Sequence, residues 1–356
     1  MKIRIDDIEV EAEKGQTVLD AARKAGIQIP TLCHGDGLEH YSSCMVCMVK
    51  DVRRNSFVPS CSYLVQDDMV IDASGDEVIR LRKKAVTLLL SEHRAECEGQ
   101  CRVVCPMGYN IPLMNRLLSA GKTDEARELL LAETGGKDLN CFTCKAFCEN
   151  ACRRKKIDTP VSIRNTRIFL YNSSPYEKGA IISSDYHKPV DLKKRFSSRI
   201  GQIDDVEQSE WLKECETGVK RHREITEIKD AVEEAGSCMR CDCRAAGNCR
   251  LRELAENFGL KDPKGKFVNL PVTKKISKKT GLIFENSKCI KCGLCVRLCG
   301  DKKEEPSLCF VNRGFVSAIS EPLFDNFDDI LPTMTDKCIE ICPTGALGHY
   351  RSITGK

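Results

Sequence analysis

The sequence predicts an α+β, multidomain protein, and three observations carry that reading. Near the N-terminus apolar residues alternate at the strand period and then switch to a helical one; a long apolar helical run begins near residue 78; and 23 cysteines fall in tight groups along the chain. Those groups divide the 356 residues into five parts: 1–77, 78–171, 172–237, 238–270 and 271–356.

In "KIRIDDIEVEAEKGQTVLDAARKAGIQIP", Ile3 and Ile5, then Ile8 and Val10, alternate across an Asp-Asp turn. Thr17 is placed to cap a helix through Ala21 and Ala22. A hairpin followed by a helix predicts a small β-grasp unit. Four cysteines follow: Cys33, ten residues, Cys44, two, Cys47, thirteen, Cys61. Thiolates in this arrangement can hold two irons bridged by sulfides. The first gap is longer than in plant ferredoxins. The pattern resembles instead the 2Fe-2S domain that begins the large iron-sulfur subunit of respiratory complex I and of many iron-only hydrogenases. Zinc is the plainer alternative for any four such cysteines.

From residue 78 to 171, the helical run "IRLRKKAVTLLLSEHRAEC" leads to His93, Cys97, Cys101 and Cys105, each separated by three residues. A helical hairpin with Gly121 between its arms is expected next, and "CFTCKAFCENACRR" then supplies Cys141, Cys144, Cys148 and Cys152. Seven cysteines plus His93 make eight ligands, the number that two four-iron clusters require. The spacing C-x3-C-E-x2-C, then "TPVSIR", resembles the N-terminal double-cluster domain of the glutamate synthase small subunit and dihydropyrimidine dehydrogenase. That resemblance implies an all-helical domain in which one 4Fe-4S cluster uses His93, Cys97, Cys101 and Cys152, with His93 where the family has its first cysteine. It gives the other cluster Cys105, Cys144 and Cys148. The family's fourth ligand there is a Gln or Glu, but Arg167 stands at that position, so Cys141 is the substitute. The placement of His93 also resembles the His-ligated cluster of complex I; its plainer reading is a histidine at a helix C-terminus.

In the glutamate synthase family, "SIR" leads into nucleotide-binding domains. Here the chain continues "YNSSPYEKGAIISSDYHKP", and no G-x-G-x-x-G occurs, so no flavin or nucleotide is expected on this chain. "SAGKT" at 119–123 imitates the end of a phosphate loop, but Arg116 stands where its first glycine must be. Residues 172–237 read as a charged connector with one or two amphipathic helices, and the single Cys215 as structural.

"CMRCDCRAAGNCRLR" then brings Cys238, Cys241, Cys243 and Cys249. It resembles a cysteine-rich tag at the end of some relatives of those flavoproteins, and its four thiols suit either a 4Fe-4S cluster or one structural zinc. The last part resembles a bacterial ferredoxin: "CIKCGLCVRLC" gives Cys289, Cys292, Cys295 and Cys299, and "CIEICPTGAL" gives Cys338 and Cys342. By that resemblance Cys289, Cys292, Cys295 and Cys342 hold one 4Fe-4S cluster. Pro332 and Thr335 occupy places where a second cluster would need cysteines, which leaves Cys299, Cys309 and Cys338 as buried thiols or ligands of an irregular site.

The N-terminal "MKIRIDDIEV" has acids where a signal peptide is apolar, and the longest apolar run spans only about 85–90. A cytoplasmic protein without membrane insertion is therefore expected, and there reduced cysteines read as metal ligands rather than disulfides. The formal charge of +4 is no nucleic-acid signal, because each four-thiolate cluster carries about −2, and five would take the loaded protein to roughly −6. Lys274, Lys275, Lys278 and Lys279 read as a solvated or docking face.

No nucleophile with a base and no paired carboxylates can be argued from these residues, so no substrate site of its own is evident. The expected cofactors are one 2Fe-2S and three to four 4Fe-4S clusters, with zinc as the other occupant of the Cys238 group. Such a chain conducts single electrons. The resemblances imply the iron-sulfur subunit of an NAD(P)H-linked oxidoreductase complex, electron-bifurcating, hydrogenase-linked and formate dehydrogenase-linked forms included. Its implied partners are an FMN- and NAD-binding subunit like that of complex I, a small thioredoxin-like 2Fe-2S subunit, and a catalytic subunit or soluble ferredoxin. A flavin-dependent reductase of a small substrate and a zinc-stapled scaffold are the competing readings.

Overall fold

The computed structural model describes residues 1–94, 96–177, 179–186, 205–260, 272–323 and 325–353. Most of the connector stretch "LKKRFSSRIGQIDD" lies outside them. The chain forms two compact units: one holds 1–94, 248–270 and 275–347, the other 95–247, 271–274 and 348–356. The elements are a mixture of helices and small sheets, as expected for an α+β chain.

Five strands open the first unit: β1 (Lys2–Ile5), β2 (Ile8–Glu11), β3 (Met48–Asp51), β4 (Ser56–Pro59) and β5 (Val70–Asp72), in the order β2-β1-β5-β3-β4. β1 and β5 run parallel, and the other neighbours are antiparallel. Helix α1 (Val18–Lys24) lays Val18, Leu19, Ala21 and Ala22 on this sheet. It starts where the sequence says it should. Thr17 accepts from the Asp20 backbone, while the Asp20 carboxylate accepts from the Thr17 backbone, a reciprocal cap. Ile3 pairs with Val10 and both are buried, but Ile8 is 48% exposed. It sits at the turn end of the edge strand, so the alternation that buries its neighbours does not bury it.

Helix α2 (Asp76–Glu92) ends with His93 as its C-cap. The second unit begins with the short helix α3 (Gln100–Val103), then the expected hairpin of α4 (Ile111–Ser119) and α5 (Thr123–Thr134). Gly121 between them has φ +73°, a left-handed turn that favours glycine. α6 (Phe147–Asn150), α7 (Ile163–Asn172), α8 (Gln208–Leu212) and α9 (Ile228–Gly236) complete it. The core is built from Leu113, Met114, Leu117, Leu130, Leu170 and Ala231, among others, with α4 packed on α9.

The chain then returns to the first unit. α10 (Arg250–Asn257) begins directly after Cys249, whose sulfur accepts from the Arg252 backbone. Short strands β6 (Lys274–Ile276), β7 (Leu282–Glu285), β8 (Cys309–Val311), β9 (Ala318–Ser320) and β10 (Leu347–His349) accompany α11 (Leu294–Lys302) and α12 (Thr335–Ile341). Their core joins Phe284, Leu331 and Ile339 to Cys299 and Cys338. Among the described residues no helix is long and apolar enough to cross a membrane.

Candidate metal centres

Two sets of thiols stand in the first unit. Cys33, Cys44, Cys47 and Cys61 are all buried beside the five-stranded sheet. Their thiols interact in pairs, Cys33 with Cys44 and Cys47 with Cys61. Accepting from Cys44 holds the Cys33 thiol down, while the same contact and burial push Cys44 up. Cys289, Cys292, Cys295 and Cys342 face one another, and burial and mutual repulsion of their charges push the Cys289 thiol up to about 12 and Cys295 further. Together with Pro343 and Thr344 they line a small cavity of about 20 Å³. Gly293 lies within this loop at φ +69°, a left-handed conformation that favours glycine, and a Cβ there would stand 3.1 Å from the Phe310 ring. Burying four thiols around a void costs free energy that bonding to iron offsets.

Arg297, one turn along α11, joins the two sets. Its Nη2 donates to the Cys33 carbonyl at 2.5 Å and lies 3.4 Å from the Cys292 carbonyl; Nη1 donates to the Glu39 carbonyl. The guanidinium also lies 5.6 Å from the Tyr41 ring centre. Nothing in the spacing of "CVRLC" announces this role.

Cys299 and Cys338 are fully buried beside this site with their sulfurs 3.5 Å apart. Cys309 lies on β8 opposite Ser320. His93 is buried, and burial with the nearby Lys288 ammonium pushes its imidazole down to about 4, so the ring is neutral. It hydrogen-bonds to the Lys288 backbone, and its Nδ1 is buried with no hydrogen-bond partner. A neutral ring with one free nitrogen suits a metal ligand and does not suit a cation serving a helix end.

In the second unit Cys105, Cys141, Cys144 and Cys148 come together: burial and the charges of Glu149, Cys105 and Cys141 push the Cys148 thiol up to about 12, and Cys105 and Cys144 both act on Cys141. The "SIR" arginine explains why these cysteines precede it. Arg164 donates from Nε to the Cys141 carbonyl at 2.8 Å and from Nη2 to the Phe142 carbonyl at 2.9 Å. Its own N–H, at the start of α7, donates to the Glu149 carboxylate at 2.7 Å. The Glu of C-E-x2-C thus caps the helix whose arginine fixes the cysteine loop. Arg167 is fully buried, paired with Glu133 at 3.3 Å and stacked 3.8 Å from the Tyr109 ring centre, and it hydrogen-bonds to the Cys141 thiol. Burial pushes the Cys141 thiol up, and the Arg167 guanidinium works against that rise.

Cys101 and Cys152 are close to one another, and so are Cys238 and Cys241; burial and the charges of Cys238, Cys152, Cys148 and Cys241 all raise Cys101. Cys243 donates its backbone N–H to the Cys97 carbonyl at 3.1 Å. Cys215 accepts from Arg154 and packs beside Trp211. Among the described residues no three His, Cys, Asp or Glu side chains stand as close as a single bound ion requires.

Residues 1–75 match the model of the 2Fe-2S iron-sulfur cluster binding domain. That stretch is similar to a 2Fe-2S cluster binding domain. The chain is 30% identical over 163 residues to the NADP-reducing hydrogenase subunit HndD of Solidesulfovibrio fructosivorans, covering 43% of this chain and 27% of that one. The G 2 subunit of NADH-quinone oxidoreductase of Rhizobium meliloti (strain 1021) is 30% identical over 159 residues, 42% of this chain and 18% of the relative. The mitochondrial NADH-ubiquinone oxidoreductase 78 kDa subunit of Candida albicans is 29% identical over 116 residues, 33% of this chain and 15% of the relative. The chain therefore spans about a quarter or less of these relatives' length. The crystal structure of an NAD+-reducing NiFe hydrogenase in the H2-reduced state superposes on 97% of this chain and 86% of its own at 16% identity, with a TM-score of 0.49, too loose to define a shared fold.

Proposed function

We propose that the chain is the electron-transfer subunit of an NAD(P)H-linked oxidoreductase complex, carrying one 2Fe-2S and three to four 4Fe-4S clusters between a flavin-bearing partner and a catalytic subunit or ferredoxin. The observation that carries this is the pair of four-thiol sets in the first unit joined through one arginine. Clusters in such sites exchange single electrons. The protein's part is to bury the thiols, supply backbone and guanidinium hydrogen bonds around them, and keep the two centres within one compact unit.

The first four cysteines would hold the 2Fe-2S cluster in a β-grasp domain, and Cys289, Cys292, Cys295 and Cys342 a 4Fe-4S cluster in a ferredoxin-like one. Cys105, Cys141, Cys144 and Cys148 fit a further 4Fe-4S cluster, with Arg164 and Arg167 shaping its loop. The similarity to subunits of NADP-reducing hydrogenase and NADH-quinone oxidoreductase supports partners that bind flavin and nicotinamide nucleotide.

Iron, acid-labile sulfide and zinc content of anaerobically purified protein, with EPR after dithionite reduction, tests this. About 14 to 18 irons per chain with matching sulfide and a separate 2Fe-2S signal is the expected result. A colourless protein holding only zinc would end the electron-transfer reading.

A further inference from the structure

The cysteine-rich segment 238–243 is not an isolated finger. It is stitched to the helical part of the second unit on two sides. On one side lies the turn after Cys152: Arg154 donates from Nη1 to the Ser237 carbonyl at 2.6 Å, immediately before Cys238, and Arg153 hydrogen-bonds to the Cys241 thiol. Arg153 is held there by a two-point ion pair with Glu96, at 2.9 and 2.6 Å, and by the Trp211 ring 4.9 Å away. On the other side lies the segment that leads into α3, where the Cys243 N–H meets the Cys97 carbonyl at 3.1 Å. Between these anchors, Arg116 of α4 grips the Asp242 carboxylate with both terminal nitrogens, at 2.7 and 2.5 Å.

These stitches bring four thiols from three segments to one place. Cys101 and Cys152 pack against the helical core, as Cys238 does, and Cys241 packs beside Trp211 and Met239. Arg153 and Arg154 follow Cys152 directly and reach Cys241 and the carbonyl before Cys238, so these three thiols meet, and Cys101 packs on the same core as Cys152 and Cys238.

We infer that Cys101, Cys152, Cys238 and Cys241 together hold one 4Fe-4S cluster, so that the segment after the connector completes a site begun in the helical domain. The inference rests on the iron-sulfur reading above and changes its grouping: Cys101 and Cys152 share their cluster with Cys238 and Cys241 and not with His93. Cys97 and Cys243 are left as a neighbouring pair, aligned by their backbone hydrogen bond. The nearby guanidinium of Arg153 offsets part of the negative charge of the loaded site.

The test compares iron, sulfide, zinc and EPR of the full-length holoprotein with those of Cys101→Ala, Cys238→Ala and the double variant, with Cys215→Ala as control. Each single variant should lose about four irons and the same EPR signal, and the double variant should lose no more than either. Cys215→Ala should keep all its iron. A double variant that loses about eight irons, or a zinc lost only with Cys238, would overturn the grouping while leaving the electron-transfer reading intact. A wild-type chain without iron would overturn both. Should the alanine variants not fold, Cys101→Ser and Cys238→Ser retain an oxygen ligand; altered g values in one common signal support the grouping, and changes in two different signals refute it.

Discussion

One nitrogen of Arg297 touches the backbone of both cysteine sets in the first unit: Nη2 lies 2.5 Å from the Cys33 carbonyl and 3.4 Å from the Cys292 carbonyl. A fixed positive charge between two electron carriers stabilises the reduced, more negative state of each. Arg297→Ala should lower both midpoint potentials by roughly 1 kcal/mol, about 40 mV for one electron. Arg297→Lys keeps the charge and should restore most of the shift. Redox titrations followed by EPR read this; unchanged potentials in Arg297→Ala would assign the residue a packing role only.

Cys342 and Cys299 make opposite predictions although both are buried in one core. Cys342→Ala should remove about four irons and leave the 2Fe-2S signal. Cys299→Ala should keep the full iron content, since its sulfur is satisfied by Cys338 at 3.5 Å.

Glu96 and Arg153 are a buried two-point ion pair, with side chains 2% and 0% exposed. Glu96→Ala would leave a guanidinium charged and buried, at a cost of about 3–5 kcal/mol, whereas mutation of an exposed pair such as Lys279–Asp329 should leave stability almost unchanged. Urea unfolding of the two variants, followed by the second unit's fluorescence from Trp211, the single tryptophan, measures the difference.

Asp20 gives a pH dependence. Although its partial burial works the other way, the hydrogen bonds from Thr17 hold its carboxyl below the usual 3.8. As pH falls the unfolded chain takes this proton first, so the contribution is present above about pH 4 and is lost below it. Asp20→Asn should cost about 0.5–1 kcal/mol at neutral pH and flatten the acid limb of the unfolding profile. An acid limb of unchanged slope would count against the cap.

How much can be read from the sequence follows from how far apart the cooperating residues lie. The Thr17 cap, the α4–α5 hairpin and the run Cys289, Cys292, Cys295 are local, and their spacing states them. That Cys342 shares a cavity with Cys289, Cys292 and Cys295 is in keeping with the Cys-Pro pair that singles it out in the sequence. The association of Cys101 with Cys238 depends on a guanidinium at position 154 reaching a carbonyl at 237, and no period in the sequence encodes that. Arg297 is equally silent: an arginine in a helix next to cysteines has many uses, and only the arrival of the Cys33 loop selects one. Ile8 shows the reverse error, since a strand period does not tell an edge from a centre.

The hydrogen bonds of Arg164 bear on the cysteine loop beside it. Its guanidinium clasps the carbonyls of Cys141 and Phe142 and its amide rests on Glu149, so the protein's own contacts define the shape of the loop. A cluster bound there would meet a loop tied down by three hydrogen bonds of its own, in contrast to small domains that collapse only around their metal.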